Sequence, residues 1–137
     1  MRETDMETVK IRCKDIMVGD YIANRNGSPM QIVAVDEDNA YACEGNEERP
    51  WIFGDYEGCE PQPIILTPEI LEKNGWKETE YWHEYQDGKN TIQCCLPDMR
   101  GRINGIEIEH FKCEYVHQYQ HLLRLCGLNE LADNFKI

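Results

Sequence analysis

Alternation of apolar and polar residues marks the first part of the chain as a series of short strands. Val9, Ile11 and Cys13 alternate with charged residues, which is the period-two pattern of a strand with one buried face. Asn26-Gly27 supplies the two positive-φ positions of a tight hairpin turn. Further strands are predicted at residues 21–23, 30–35, 40–43 and 51–53. Strands at this spacing indicate a small, curled, barrel-like antiparallel sheet.

A short helix and further strands are predicted in the second part of the chain. The apolar run at residues 64–66 is predicted to be a strand, and Thr67 and Pro68 after it suit the N-cap and the first helical position. Gly75 supplies the left-handed residue that ends a helix, so a helix is predicted over residues 67–74. Strands are predicted at residues 76–83, 91–96, 101–103 and 106–110, the last two joined by Asn104-Gly105.

The clearest periodicity lies over residues 114–126, just before Gly127. Apolar residues recur there at intervals of three and four, and on a helical wheel they fall within one face about 120° wide. We expect this face to be buried, and it comprises Tyr115, Val116, Tyr119, Leu122, Leu123 and Cys126. The pattern predicts an amphipathic helix that packs on a sheet.

These elements together predict an α+β fold with two lobes. Two prolines and a loss of periodicity place the lobe boundary between Gly58 and Pro63. We therefore predict a flexible leader over residues 1–8, an antiparallel β lobe over residues 9–60 and an α+β lobe over residues 61–137. A chain of 137 residues has the usual length of one domain, so the lobes can share one core.

Acidic residues dominate the charge of the chain, with 26 acids, 14 bases and a net charge of −12. Binding to phosphates requires a surplus of Lys and Arg, so this balance disfavours direct nucleic-acid binding. Residues 36–60 hold nine of the acids and one base. This segment is either a solvated surface that favours solubility or a docking face for a basic protein partner. Its candidate contacts are Glu44, Glu47 and Glu48.

The sequence predicts a soluble cytoplasmic protein. No run of about eighteen apolar residues occurs, so no membrane-spanning segment is expected. Residues 1–10 are charged and lack the apolar centre of a signal peptide. The seven cysteines are odd in number and lack the spacing of a disulfide framework, so we expect reduced thiols.

Three stretches carry a resemblance to a known family. They are residues 15–35, which open a strand with Gly-Asp, residues 63–76, which contain P-I-x-L-T-P-E-x-L, and residues 115–137, which begin Y-V-H-x-x-Q-x-L. In this order they resemble a family of small uncharacterised bacterial proteins often found in prophages and other mobile elements. The resemblance implies a shared α+β fold and no particular chemistry, and it does not extend to residues 36–60.

A pair of histidines in the predicted C-terminal helix has the spacing of a metal site. His117 and His121 are four residues apart, and Cys113 lies four residues before His117. On the helical wheel the three residues fall opposite the apolar face, and the chain has no C-x-x-C or H-E-x-x-H motif. We therefore expect them to form an exposed polar face. No metal or other cofactor is predicted.

Two adjacent cysteines and an aromatic cluster are the remaining candidates. Cys94 and Cys95 point to opposite faces of a predicted strand, so we expect one buried and one exposed thiol. A cysteine nucleophile also needs a histidine within reach, and the sequence cannot place His83 or His110 there. The aromatic cluster, Trp76, Tyr81, Trp82 and Tyr85, is interpreted mainly as core, with Trp82 kept as a candidate contact for a protein partner.

Three functional classes are compatible with these features. The favoured class is a non-enzymatic accessory protein that acts through protein–protein interaction, because the surface is acidic and no catalytic motif is found. The first alternative is a nucleic-acid-associated protein that uses the small β lobe. The second alternative is a small hydrolase or thiol enzyme, which requires a pocket that holds a histidine beside a cysteine or a carboxylate.

Overall fold

Two antiparallel sheets and three helices make up the described part of the chain, so the predicted α+β class is confirmed. The computed structural model describes residues 11–44, 49–55, 58–88, 90–95, 100–112 and 114–137, with residues 108–112 described as backbone. The chain divides into two units, the first ending at Ile64 and the second covering Ile65–Ile137. The predicted leader, residues 1–8, lies outside the described residues.

The first unit is built on a four-stranded sheet that curls into half of a barrel. Its strands lie in chain order and each is antiparallel to the next: β1 Tyr21–Ala23, β2 Pro29–Val35, β3 Asn39–Cys43 and β4 Trp51–Gly54. Alternate side chains of these strands point inward. With three residues from the preceding segment they form an aliphatic core of Ile11, Cys13, Ile16, Ile22, Met30, Ile32, Ala40, Ala42 and Phe53.

The turn between β1 and β2 differs from the prediction. Gly27 has a φ of 84°, but Asn26 does not have a positive φ. The predicted two-residue turn, which requires positive φ at both positions, is therefore wrong. The buried side chain of Asn24 sets the geometry instead, because its Oδ1 accepts the N–H groups of Asn26 at 2.9 Å and Ser28 at 3.0 Å. A side-chain oxygen that holds two backbone donors fixes a longer loop.

Residues 11–15 contribute to the core without forming a strand. Cys13–Asp15 is a turn of 3-10 helix, so the strand predicted at residues 9–13 is wrong over the described residues 11–13. Residues 9 and 10 lie outside the described residues. The N–H of Cys13 donates to the Asp55 carboxylate at 2.9 Å instead of to a neighbouring strand. Ile11 and Cys13 are nevertheless buried. The alternation therefore predicted burial correctly and backbone conformation incorrectly.

The second unit contains a five-stranded antiparallel sheet. Its strands also lie in chain order: β5 Lys77–Glu78, β6 His83–Asp87, β7 Asn90–Cys95, β8 Arg100–Ile103 and β9 Ile106–Lys112. The hairpin at Asn104-Gly105 is confirmed, since both residues have positive φ, 52° and 83°. The strand predicted at residues 76–83 is confirmed at Lys77, Glu78 and His83 and is wrong at residues 79–82, where the Thr79 N–H donates to the Trp82 carbonyl at 2.7 Å and closes a turn.

A helix, α1 Pro68–Lys73, precedes this sheet. Its predicted N-cap is confirmed, because the Thr67 hydroxyl accepts the N–H of Ile70 at 3.2 Å. Asn74 ends the helix and ties it to the last residues of the chain. Its Nδ2 donates to the carbonyls of Ile70 and Lys136, both at 2.8 Å, and its Oδ1 accepts the N–H of Lys136 at 2.7 Å.

Residues 64–66 do not form the predicted strand. Ile65 makes a single isolated bridge with Tyr115, and the Leu66 N–H donates to the Glu114 carbonyl at 2.9 Å. Pro63 and Pro68 flank this run, and a proline has no N–H to extend a ladder. The side chain of Ile65 is exposed.

The predicted C-terminal helix is α2 Val116–Leu125, and it packs on the second sheet through aromatic residues. The ring of Trp76 lies 4.6 Å from that of Tyr85 on β6, 5.3 Å from that of Tyr119 on α2 and 6.1 Å from that of Phe135. The predicted apolar face is buried except for Cys126, which is half-exposed because it lies at the C-cap beyond the last turn.

A short helix, α3 Asn129–Asp133, covers a second side of α2. The contact includes a buried amide, because Gln120 Nε2 donates to the Ala132 carbonyl at 2.7 Å. The helix α2 therefore buries a wider arc than its apolar stripe alone. Among the helices of the described residues, none is both long and apolar enough to cross a membrane.

Candidate functional site

The outward-facing side of the first sheet is uncharged and exposes large apolar side chains. The register places Ala34, Tyr41 and Ile52 in one row across β2, β3 and β4, on the side opposite the core. Val33 lies at a register shift in β2 and is 49% exposed, and Ile52 is 60% exposed. We call this the first outer face, and its residues are Tyr21, Gln31, Val33, Ala34, Tyr41, Cys43 and Ile52. None of these side chains carries a charge.

Acidic residues lie at both ends of β3, beside the first outer face. Asp36 precedes the strand, and its carboxylate accepts the Tyr41 hydroxyl at 2.8 Å and the N–H groups of Asn39 and Asp38 at 2.7 and 2.9 Å. These hydrogen bonds, that of Tyr41 above all, lower the pKa of Asp36 and keep it ionised. The candidate Glu44 is exposed directly after β3. Glu47 and Glu48 lie outside the described residues.

A cavity of about 200 Å³ adjoins the first outer face beside Ile52. Trp51 and Phe53 supply apolar walls, and Arg25 and Glu60 supply charged groups. A volume of this size can hold one apolar side chain of a partner. The cavity therefore gives the face a position where a single residue could anchor.

The outward-facing side of the second sheet is polar. The register places Glu84, Gln93 and Arg102 in one row across β6, β7 and β8. Glu84 accepts hydrogen bonds from Gln93 Nε2 at 2.9 Å and from Gln86 Nε2 at 3.1 Å. Cross-strand side-chain bonds of this kind stabilise a sheet whose open face meets water.

Two arginines lie over the candidate residue Trp82 on this polar side. The guanidinium carbon of Arg102 is 4.7 Å from the centre of the Trp82 ring, and that of Arg100 is 5.6 Å away. Arg102 donates to the Gly105 carbonyl at 3.1 Å, and Arg100 pairs with Glu107 at 3.3 Å. We call Trp82, Arg100 and Arg102 the arginine–tryptophan platform.

The aromatic cluster of the sequence is divided by the structure. Trp76 is buried, as expected for core, but Tyr81 is 71% exposed and Trp82 is half-buried, so the core interpretation is wrong for these two. Both residues lie in the turn at residues 79–82, outside the strands of the second sheet. Arg100 and Arg102 were missed, although two arginines at i and i+2 must share a face of a strand.

The histidine pair does not lie on an exposed face. His117 is buried and His121 is half-buried, so the predicted exposure is wrong for His117. The rings of His117 and Tyr115 are stacked at 6.0 Å, and those of His117 and His121 meet edge to face at 5.9 Å. Cys113 lies outside the described residues. Within the part of the chain that is described, no three His, Cys, Asp or Glu residues are grouped to hold a metal ion.

The adjacent cysteines are both buried, so the expectation of one exposed thiol is wrong for Cys95. Cys94 is the cross-strand partner of His83 on the inner side of the sheet, and His83 Nε2 lies 3.7 Å from the Glu72 carboxylate. The fold thus places a histidine beside a cysteine. Cys94 is fully buried, however, and a substrate cannot reach its Sγ.

Cys13 has a thiol pKa well above its ordinary value. Burial raises the pKa of its thiol to about 11, and the charge of Asp55 acts in the same direction. Its Sγ donates to the Phe53 carbonyl at 3.7 Å. A thiol with a raised pKa is a poor nucleophile at neutral pH, so Cys13 is a core residue.

Comparison of the chain with protein-family models, with curated proteins and with solved structures gave no match.

Proposed function

We propose that the chain is a non-enzymatic accessory protein, of the prophage or mobile-element type that its sequence resembles, and that it acts by binding another protein. The first outer face carries this proposal. An antiparallel sheet ordinarily presents polar side chains on its open side, but here Val33 and Ile52 are exposed on a face without charges. Exposed apolar surface with a polar rim is typical of protein interaction sites.

The acids beside the first outer face favour a basic partner. Asp36 and Glu44 lie before and after β3, and Glu37 and Asp38 are exposed in the turn next to Asp36. A segment with an apolar centre and Lys or Arg at its edges complements this arrangement. A second copy of the chain brings the same acids and is repelled. The partner is therefore a different, basic protein.

The two alternative functions receive less support. A nucleic acid on the small β unit meets the acids at the ends of β3, which repel phosphate. A thiol enzyme would use Cys94 as its nucleophile, with His83 as the cross-strand neighbour. The Cys94 thiol is fully buried, however, and no substrate can approach it.

A matched pair of substitutions tests the apolar part of the site. Ile52 and Ile65 are exposed to nearly the same extent, 60% and 65%, and only Ile52 lies on the first outer face. We expect Ile52→Ser to reduce retention of the native partner at least tenfold in quantitative affinity purification, and Ile65→Ser to leave retention unchanged. Equal retention by both variants contradicts the proposal.

The acidic part of the site is tested by association rates. Neutralising Glu44, Glu47 and Glu48 together, each to Gln, should slow association with the purified partner by about tenfold at low salt. The difference should shrink at high salt, because the Debye length falls from about 10 Å at 0.1 M to about 3 Å at 1 M. An association rate that depends on neither salt nor these substitutions assigns the segment to solubility alone.

A further inference from the structure

The arginine–tryptophan platform is the strongest unexplained feature of the second unit. Trp82 lies in the turn before β6, and both arginines lie on β8. The tryptophan is therefore distant in sequence from the arginines, and the sheet register brings them together. Tryptophan, tyrosine and arginine are the residues most enriched among those that dominate protein interfaces. Tyr81 adds an exposed aromatic ring to the same turn.

The platform places two guanidinium groups beside one aromatic ring, Arg102 donating to the Gly105 carbonyl and Arg100 paired with Glu107. A guanidinium over an aromatic ring keeps its N–H donors at its edge, in the plane that matches a carboxylate or a phosphate. Stacking also restricts the long arginine side chain before a ligand arrives, which lowers the entropy lost on binding. The chemistry of the platform therefore favours recognition of anionic oxygens.

The charges around the platform distinguish between anionic ligands. Glu84 and Glu107 lie in the same part of the sheet as Arg100 and Arg102, so a nucleic-acid backbone or an anionic membrane meets two acids together with two arginines. Binding to such polyanions needs a continuous basic surface. A single carboxylate needs only one guanidinium fork.

From these observations we infer that the outer side of the second sheet binds an acidic polypeptide segment, whose carboxylates pair with Arg100 and Arg102 while an adjacent residue packs against Trp82 and Tyr81. The site is separate from the first outer face and has the opposite charge preference. A chain with both sites can connect a basic protein to an acidic one.

Glu107 competes with this ligand for the guanidinium group of Arg100. Its Oε1 lies 3.3 Å from Arg100 Nη1, and both side chains are 47% exposed. An ion pair with this exposure contributes little to stability, so an incoming carboxylate can replace Glu107 at low cost. Removing the charge of Glu107 should therefore strengthen binding of an acidic ligand.

The inference is tested by fluorescence anisotropy on the full chain. The probe is a labelled peptide of alternating glutamate and glycine, and the comparison probes are the glutamine peptide of the same length and labelled oligothymidylate. We expect saturable binding of the glutamate peptide only. Arg102→Lys, which keeps the charge and loses the fork, should weaken binding about tenfold. Glu107→Gln should strengthen it about twofold to fivefold.

The outcomes separate the ligand classes. Tighter binding of oligothymidylate than of the glutamate peptide overturns the inference in favour of a nucleic-acid site. Equal binding of the glutamate and glutamine peptides, or an affinity that Glu107→Gln does not raise, also overturns it. Glu84→Gln is the structural control, because it removes a carboxylate of the same sheet face that pairs with Gln86 and Gln93, and its effect should be smaller than that of Glu107→Gln.

Discussion

The open sides of the two sheets differ in character, one polar and the other apolar. In the second sheet the open side follows the usual rule, with Glu84, Gln93 and Arg102 in a polar row in which Gln93 donates to Glu84. In the first sheet the corresponding row is Ala34, Tyr41 and Ile52, and the acids Asp36 and Glu44 lie before and after β3. A polar row stabilises its own sheet, whereas an apolar row in water gains stability only when another molecule covers it. This contrast is the reason why we propose the interaction site on the first unit.

The two cores differ as well. The first unit buries mainly aliphatic side chains inside a curled sheet, whereas the second packs Trp76, Tyr119 and Phe135 between its sheet and its helices. Each unit therefore has a set of buried residues that can be removed without touching either open face. This separation allows stability and binding to be changed independently.

The largest effects are expected from truncation of these cores. Leu122→Ala in the second unit and Met30→Ala in the first remove side chains that are at most 1% exposed. Each should lower the free energy of unfolding by about 2–5 kcal/mol, measured by urea denaturation. Hydrogen exchange should show the greater loss of amide protection in the sheet of the substituted unit. Equal loss in both sheets contradicts two separate cores, and no loss of stability contradicts the packing.

Intermediate effects are expected from the two buried asparagines that fix loops. Asn74→Ala removes three hydrogen bonds to Ile70 and Lys136, and Asn24→Ala removes two at the turn between β1 and β2. Buried backbone groups left without partners should lower the free energy of unfolding by about 1–3 kcal/mol in each case. A change below about 0.5 kcal/mol in either variant contradicts its assigned role.

A smaller effect distinguishes the two Asn-Gly turns. Asn104 has a positive φ and its Oδ1 accepts the Thr91 N–H at 2.8 Å, whereas Asn26 does not have a positive φ. Asn104→Ala should therefore cost about 1 kcal/mol of stability, and Asn26→Ala less than about 0.5 kcal/mol. Equal costs in thermal denaturation contradict the difference between the turns.

The smallest effect concerns the charge beside the first outer face. The Tyr41 hydroxyl is the main cause of the lowered pKa of Asp36, so Tyr41→Phe should raise that pKa toward its ordinary value. A lowered carboxyl pKa gives stability that is present above the unfolded pKa and is lost as pH falls through the folded pKa. The variant should lose less stability on acidification. An NMR titration of Asp36 that is unchanged in the variant contradicts this.

The sequence predicts local features of this molecule better than features that depend on partners distant in the chain. The Thr67 cap, the Asn104-Gly105 hairpin and the apolar stripe of α2 each depend on residues within a few positions. The platform depends on the register of β6 to β8, which brings Arg102 to Trp82 across β7. The burial of Gln120 depends on α3, so the helical wheel of α2 alone could not reveal it.

The first outer face could not be predicted from the sequence for the same reason, because it depends on strand register. The sequence predicts strands over residues 30–35 and 51–53, but it does not indicate the side of the sheet on which Val33 and Ile52 lie. Their exposure follows from the register shift in β2 and from the row that Ile52 shares with Tyr41. The acidic candidate Glu44 was identified from sequence alone, but the apolar surface beside it was not.

Site-specific photo-crosslinking in the native host tests the central claim most directly. A photoreactive residue replaces Ile52 on the first outer face or, in the matched control, Ile106, which is 71% exposed in the second unit. We predict that position 52 crosslinks to one protein through a segment rich in Lys or Arg, identified by mass spectrometry, and that position 106 does not capture that protein. No adduct at position 52, the same adduct at both positions, or an adduct through an acidic segment at position 52 contradicts the claim.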